Sequence, residues 1–124
     1  MTPQEIFDKS AAHLFTQDVQ SVGPSCCSYR GPNNTSCAVG FFIPDEVYRN
    51  DMEGKDVYGL LDTYADIFPK FIIENIKLFA ALQLVHDDNV SWRTTERMRN
   101  HLREVADKFN LNSSILETLS FKDR

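Results

Sequence analysis

Ser25-Cys26-Cys27-Ser28-Tyr29-Arg30-Gly31-Pro32-Asn33-Asn34-Thr35-Ser36-Cys37-Ala38-Val39-Gly40-Phe41-Phe42-Ile43-Pro44-Asp45 is the stretch where the chain departs from amphipathic helix. Gly31 to Thr35 supply residues that tolerate left-handed or pre-bent backbone, between one arm ending at Tyr29-Arg30 and a second running from Ser36 to Ile43. The pattern predicts a β-hairpin over about 26–43. Cys37, Val39 and Phe41 would face one side and Ala38, Gly40 and Phe42 the other, with Gly40 marking a bulge or a close approach by another backbone or a ligand. Two strands alone are marginal in water, so helices, or a second copy of the chain pairing along the hairpin edge, are expected to cover them.

Outward from the hairpin the chain reads as helix. Thr2-Pro3-Gln4-Glu5 has the form of a capping box with proline in the first turn, and Ile6, Phe7, Ala11, Leu14 and Phe15 share one face, which predicts a helix to about residue 17. His13 lies at the rim of that face and reads as a half-buried packing residue. Val19 to Ser25 is a connector. Pro44 to Tyr48 reads as a turn or one short helical turn, and Arg49 to Lys55 as loop. Asp56 caps a helix whose stripe is Val57, Leu60, Leu61, Tyr64, Ala65 and Phe68, ended by Pro69. The segment 70–86 is apolar nearly all round and predicts the central, most buried helix. Asn89 or Ser91 is placed to cap a helix from Trp92 to Phe109, stopped by Asn110-Leu111-Asn112, and Ser113 to cap a short final helix with Ile115, Leu116 and Leu119 inward. The expected fold class is therefore α+β and helix-dominated, a hairpin on four or five helices, in one domain spanning 1–124.

Composition limits the function classes. A chain of 124 residues with 42% hydrophobic residues and nine Phe can build a core without staples. A formal net charge of −5 argues against general nucleic-acid binding, which needs a positive surface. Three cysteines, an odd number, and no charged n-region followed by an apolar run point to the cytoplasm, and no stretch is long and apolar enough to predict a membrane span.

Four constellations are candidates for chemistry. Cys26, Cys27 and Cys37 with His13, His86 or His101 match zinc ligand types, but adjacent cysteines on a strand point to opposite faces; Cys27 and Cys37 read instead as small buried apolar residues, and no metal or cofactor is expected. Cys37 with His86 and Asp87 or Asp88 would supply a thiolate, a base and an orienting carboxylate, although nothing in the spacing demands it. Arg93, Arg97, Arg99 and Arg103 stand against only Glu96 in their span, a local positive face suited to phosphate or an acidic protein, or else a solvated face neutralised by Asp87, Asp88 and Glu104. Tyr29, Arg30, Asn33 and Asn34 are a candidate cradle for a small anionic or nucleotide-like ligand, without the lysine-terminated glycine loop of a true phosphate site. The candidate ligand-binding set is thus Tyr29, Arg30, Asn33, Asn34, His86, Asp87, Arg93 and Arg97.

The opening Thr2-Pro3-Gln4-Glu5-Ile6-Phe7-Asp8-Lys9, Cys27-Ser28-Tyr29-Arg30-Gly31, the run from Cys37 to Glu46, Met52-Glu53-Gly54, and Leu82 to Asp87 followed by Trp92 together resemble small proteins encoded by tailed bacteriophages, over about residues 1–109. Asn34 departs from that pattern, where glycine is expected. The resemblance implies a phage accessory protein made in the bacterial host cytoplasm and transfers no residue role. The function expected on these grounds is non-enzymatic: binding and neutralising a host component, either a host protein or a nucleotide-derived defence signal. A hydrolase using Cys37, His86 and Asp87, and an assembly protein using the hairpin edge, are the competing classes.

Overall fold

The computed structural model describes residues 1–23 and 28–124; the candidate ligands Cys26 and Cys27 lie outside them. Five α-helices dominate the described chain: α1 (Pro3–Gln17), α2 (Val57–Thr63), α3 (Lys70–Glu74), α4 (Ile76–Asp87) and α5 (Thr95–Lys108). Short 3-10 turns occupy Gly40–Phe42, Asn50–Met52, Asn89–Trp92 and Ser114–Thr118. α1, α2, α3 and α5 all pack on α4, the axis of one continuous apolar core.

Local chemistry sets most boundaries. Thr2 Oγ1 accepts from Glu5 N at 3.1 Å while Glu5 Oε1 accepts from Thr2 N at 2.9 Å, a reciprocal capping box. Asp56 Oδ1 accepts from Gly59 N at 2.7 Å and starts α2, as its position predicts. At the other end of the chain, Asn110 takes a left-handed conformation (φ 56°) and Leu111 N donates to Ala106 O, which closes α5 at the predicted stop.

The hairpin is smaller than the sequence predicts, and no β-strand forms among the described residues. Asn33 and Asn34 both have positive φ (59° and 60°) and Thr35 N donates to Pro32 O, a two-residue turn of the kind that closes hairpins. Among the described residues the pairing of the two arms is one bridge, Arg30 with Ser36, flanked by Cys37 N to Tyr29 O at 3.1 Å. Beyond Cys37 the expected second arm curls into the Gly40–Phe42 turn, and Cys37, Ala38 and Val39 are all buried instead of alternating. The cause is competition from distant side chains. Gln17 accepts from Ser36 N and donates to Ser36 O, His13 Nε2 lies 2.9 Å from the same carbonyl, and Gln83 Oε1 accepts from Val39 N. Gly40 is required by close approach: a Cβ there would lie 1.9 Å from Tyr29 O.

Four helix expectations are also corrected. The helix from Asp56 stops at Thr63 rather than Phe68. The single helix predicted over 70–86 is interrupted at Asn75 (φ −117°, ψ 31°), whose amide nitrogen turns back to Phe71 O. The helix predicted from Trp92 begins at Thr95 with Thr94 as its cap, because Asp88 caps a separate 3-10 turn over Asn89–Trp92. The last segment is a 3-10 turn without a side-chain cap from Ser113, and it buries Leu116. A tail contact completes the core: Phe121 is buried against Phe15 and stacks on Trp92. Among the described residues no helix is long and apolar enough to cross a membrane.

Candidate functional site

The residues of the predicted anion cradle serve the fold. Glu53 accepts from Tyr29 N at 2.9 Å through Oε1, and from Arg30 N at 3.0 Å and Tyr48 OH at 2.5 Å through Oε2. Arg30 reaches away from the turn: its guanidinium donates to Ile43 O, pairs with Asp45 at 2.7 Å and lies over the Tyr48 ring. Tyr29 is buried, donates its phenol to Lys55 O, and is pushed up from the usual tyrosine range mainly by desolvation. Asn33 and Asn34 are exposed at the tip, where their role is to supply left-handed backbone. Arg30, Tyr48, Glu53 and Asp45 thus lock the hairpin to the 44–55 loop, and Arg30 is committed to that lock.

His86 is a buried fastener. Ser21 N donates to its Nε2 at 3.1 Å, so the ring carries its proton on Nδ1, which donates to Asp87 Oδ1 at 2.9 Å. Its carbonyl accepts from Gln20 Nε2 and Trp92 Nε1, each at 2.8 Å. With both ring nitrogens engaged, His86 has none to offer Cys37. The Cys37 thiol is wholly buried and pushed up to about 12, chiefly by desolvation, and its sulfur accepts from Gly40 N. A thiolate nucleophile needs the opposite environment, electropositive and accessible.

The predicted arginine face divides. Arg99 donates twice to Leu119 O, and Arg103 pairs with Glu117 at 3.0 Å, so both hold the C-terminal segment. Arg93 and Arg97 are exposed and have no side-chain partner among the described residues. Among the described residues no hydrogen bond, ion pair or ring contact joins them to Tyr29, Arg30 or the turn. The described set of His, Cys, Asp and Glu contains no group of three arranged to hold a metal ion.

Tyr29 and Asp87 do come together, at a groove of about 480 Å³ between the 54–58 segment and α4. Its walls are Val57, Tyr58, Ala80 and Leu84, and it is mostly apolar. Tyr58 is 52% exposed and Leu84 72% exposed, which leaves an aromatic ring and an aliphatic side chain in solvent beside the groove. Asp87 closes one end; Gln83 Nε2 and His86 Nδ1 both donate to its Oδ1, and its side chain is 41% exposed. Leu84 also borders a second, shallower depression of about 280 Å³ against α5, lined by Val85, Asp88, His101 and Val105, so it stands as a ridge between two hollows.

Of the eight predicted site residues, only Tyr29 and Asp87 line this groove. Tyr58 and Leu84 are absent from the predicted set. Tyr58 sits outside the α2 stripe, and Leu84 is hidden in a helix that reads as apolar on every side; a stripe wider than one core can bury is the signal that marks it. No family model, curated protein or solved structure matches the chain.

Proposed function

We propose that this chain is a non-enzymatic phage accessory protein that binds and neutralises a host protein, with the groove between α2 and α4 as its contact surface. The observation that carries this reading is the exposure of Leu84 and Tyr58 beside a mostly apolar groove of about 480 Å³. Exposed apolar side chains around a preformed hollow are the usual anchors of a protein contact, where an aromatic ring and an aliphatic ridge are desolvated together. The enzymatic alternative has less support, since the Cys37 thiol is held protonated at neutral pH and His86 is engaged on both nitrogens. A nucleotide-derived signal also finds less here: Arg30 is used within the fold, and the groove is lined by two acids, Asp56 and Asp87, against one cation, Lys55.

The test is affinity capture from the bacterial host with the wild-type chain and Leu84→Glu, both first shown to melt cooperatively at similar temperatures. The expected result is a host protein held at a fixed ratio by the wild type and lost by Leu84→Glu. Retention of the same protein by the variant would overturn the reading.

A further inference from the structure

We infer that the groove takes a peptide segment of a partner protein in which an arginine side chain sits beside an apolar residue. This rests on the groove being a protein contact and adds the chemistry of what enters it.

Three features of the groove select that chemistry. The first is charge without compensation. Asp87 lies in the last turn of α4, at the negative end of the helix dipole, and Asp88 follows it. Among the described residues its partners are an amide, from Gln83, and an imidazole whose other nitrogen accepts from Ser21 N; both are neutral, and both meet Oδ1. Oδ2 is left for a donor from outside, and a cation there would relieve the field of the helix end as well as of the carboxylate. Asp56, whose Oδ1 caps α2, is a second and partly compensated acid in the lining, with Lys55 as the opposing cation.

The second feature is the exposed ring of Tyr58, a face on which a planar guanidinium stacks. The third is the apolar wall of Val57, Ala80 and Leu84, which fits the methylene stem of a long cationic side chain and an aliphatic neighbour. An ammonium satisfies the carboxylate but is more strongly hydrated and stacks less well, so arginine fits all three features better than lysine. Anionic partners meet two carboxylates and are disfavoured.

The experiment follows amide and methyl resonances of the whole protein by NMR during titration with acetyl-Ala-Leu-Arg-Leu-Ala-amide and with the same peptide carrying Glu in place of Arg. The arginine peptide should shift Val57, Tyr58, Ala80 and Leu84 saturably. Its affinity should fall roughly tenfold in Asp87→Asn, which keeps the amide and imidazole contacts on Oδ1, and should weaken with added salt. The Glu peptide should leave these resonances in place. Equal response to both peptides, no response to the arginine peptide, or an unchanged affinity in Asp87→Asn overturns the inference. So does a wild-type dimer in sedimentation that Leu84→Glu dissociates, since the occupant is then a second copy. Failure of the underlying reading looks different: a captured host protein kept by Asp87→Asn but lost by Leu84→Glu contradicts only the arginine, whereas one kept by Leu84→Glu contradicts the groove itself.

Discussion

Cys37 shows how burial decides what a residue type can do. Its thiol has no exposed surface, its sulfur accepts from Gly40 N, and desolvation pushes it up to about 12. At neutral pH the native thiol should therefore resist iodoacetamide and label only when the chain unfolds. Peptide mass spectrometry at increasing urea checks this: the Cys37 peptide should gain label along the unfolding transition. Rapid labelling in the native protein would mean an accessible thiolate and would restore the enzymatic reading. His13 makes a second case. It stacks on Phe41 and reaches Ser36 O, and desolvation lowers it from the ordinary histidine range. The unfolded chain thus takes up a proton at higher pH than the folded one. The contribution of neutral His13 is complete above its unfolded value of 6.5, declines as pH falls below that, and levels off beneath the folded value. Urea midpoints measured between about pH 8 and pH 5 should drop more steeply for the wild type than for His13→Gln.

At the scale of elements, helix starts and stops were readable where the decisive contacts span a few residues. Thr2 and Glu5, Asp56 and Gly59, and the stop at Asn110 are all of this kind. The hairpin was readable at its tip for the same reason, since two asparagines tolerate the left-handed backbone the turn needs. Its second arm was not. The groups that take up the backbone of Ser36 and Val39 come from Gln17, His13 and Gln83, and alternation along 36–43 carries no information about them. The α5 start was missed because Thr94 competes with nearer caps, Ser91 and Asn89, that belong to another turn. That start gives a prediction. Thr94 accepts from Arg97 N, which places Arg97 where a capping box carries Glu. Arg97→Glu should stabilise the protein by about 0.5 kcal/mol, by completing the box and favouring the helix dipole. Thermal unfolding measures it. A loss of stability would show that Arg97 supports the fold through contacts other than those described.

For the whole molecule, the core and the groove have one origin. α4 carries more apolar surface than its neighbours cover: Leu78, Phe79, Leu82 and Val85 are buried by the other helices, and Leu84 is left in solvent. A sequence that is apolar around a full helix fixes that helix at the centre but does not say which side remains uncovered, because that depends on where α2 ends and where the hairpin packs. Most of the candidate ligand residues are of types that make many polar contacts, and the fold uses Arg30 and His86 for its own fastening. The side of α4 that carries Leu84 stays uncovered, and the proposed contact uses it.

Hydrogen–deuterium exchange of the chain, free and in complex with the host protein that the proposed function expects it to capture, tests the groove as contact surface most directly. Protection on binding should concentrate in 54–58 and in the exposed face of α4 around Leu84 and Asp87, with the turn at Asn33-Asn34 and the segment from Arg93 to Arg97 unchanged. Protection at the turn or at Arg93 and Arg97, with the groove unaffected, would contradict it.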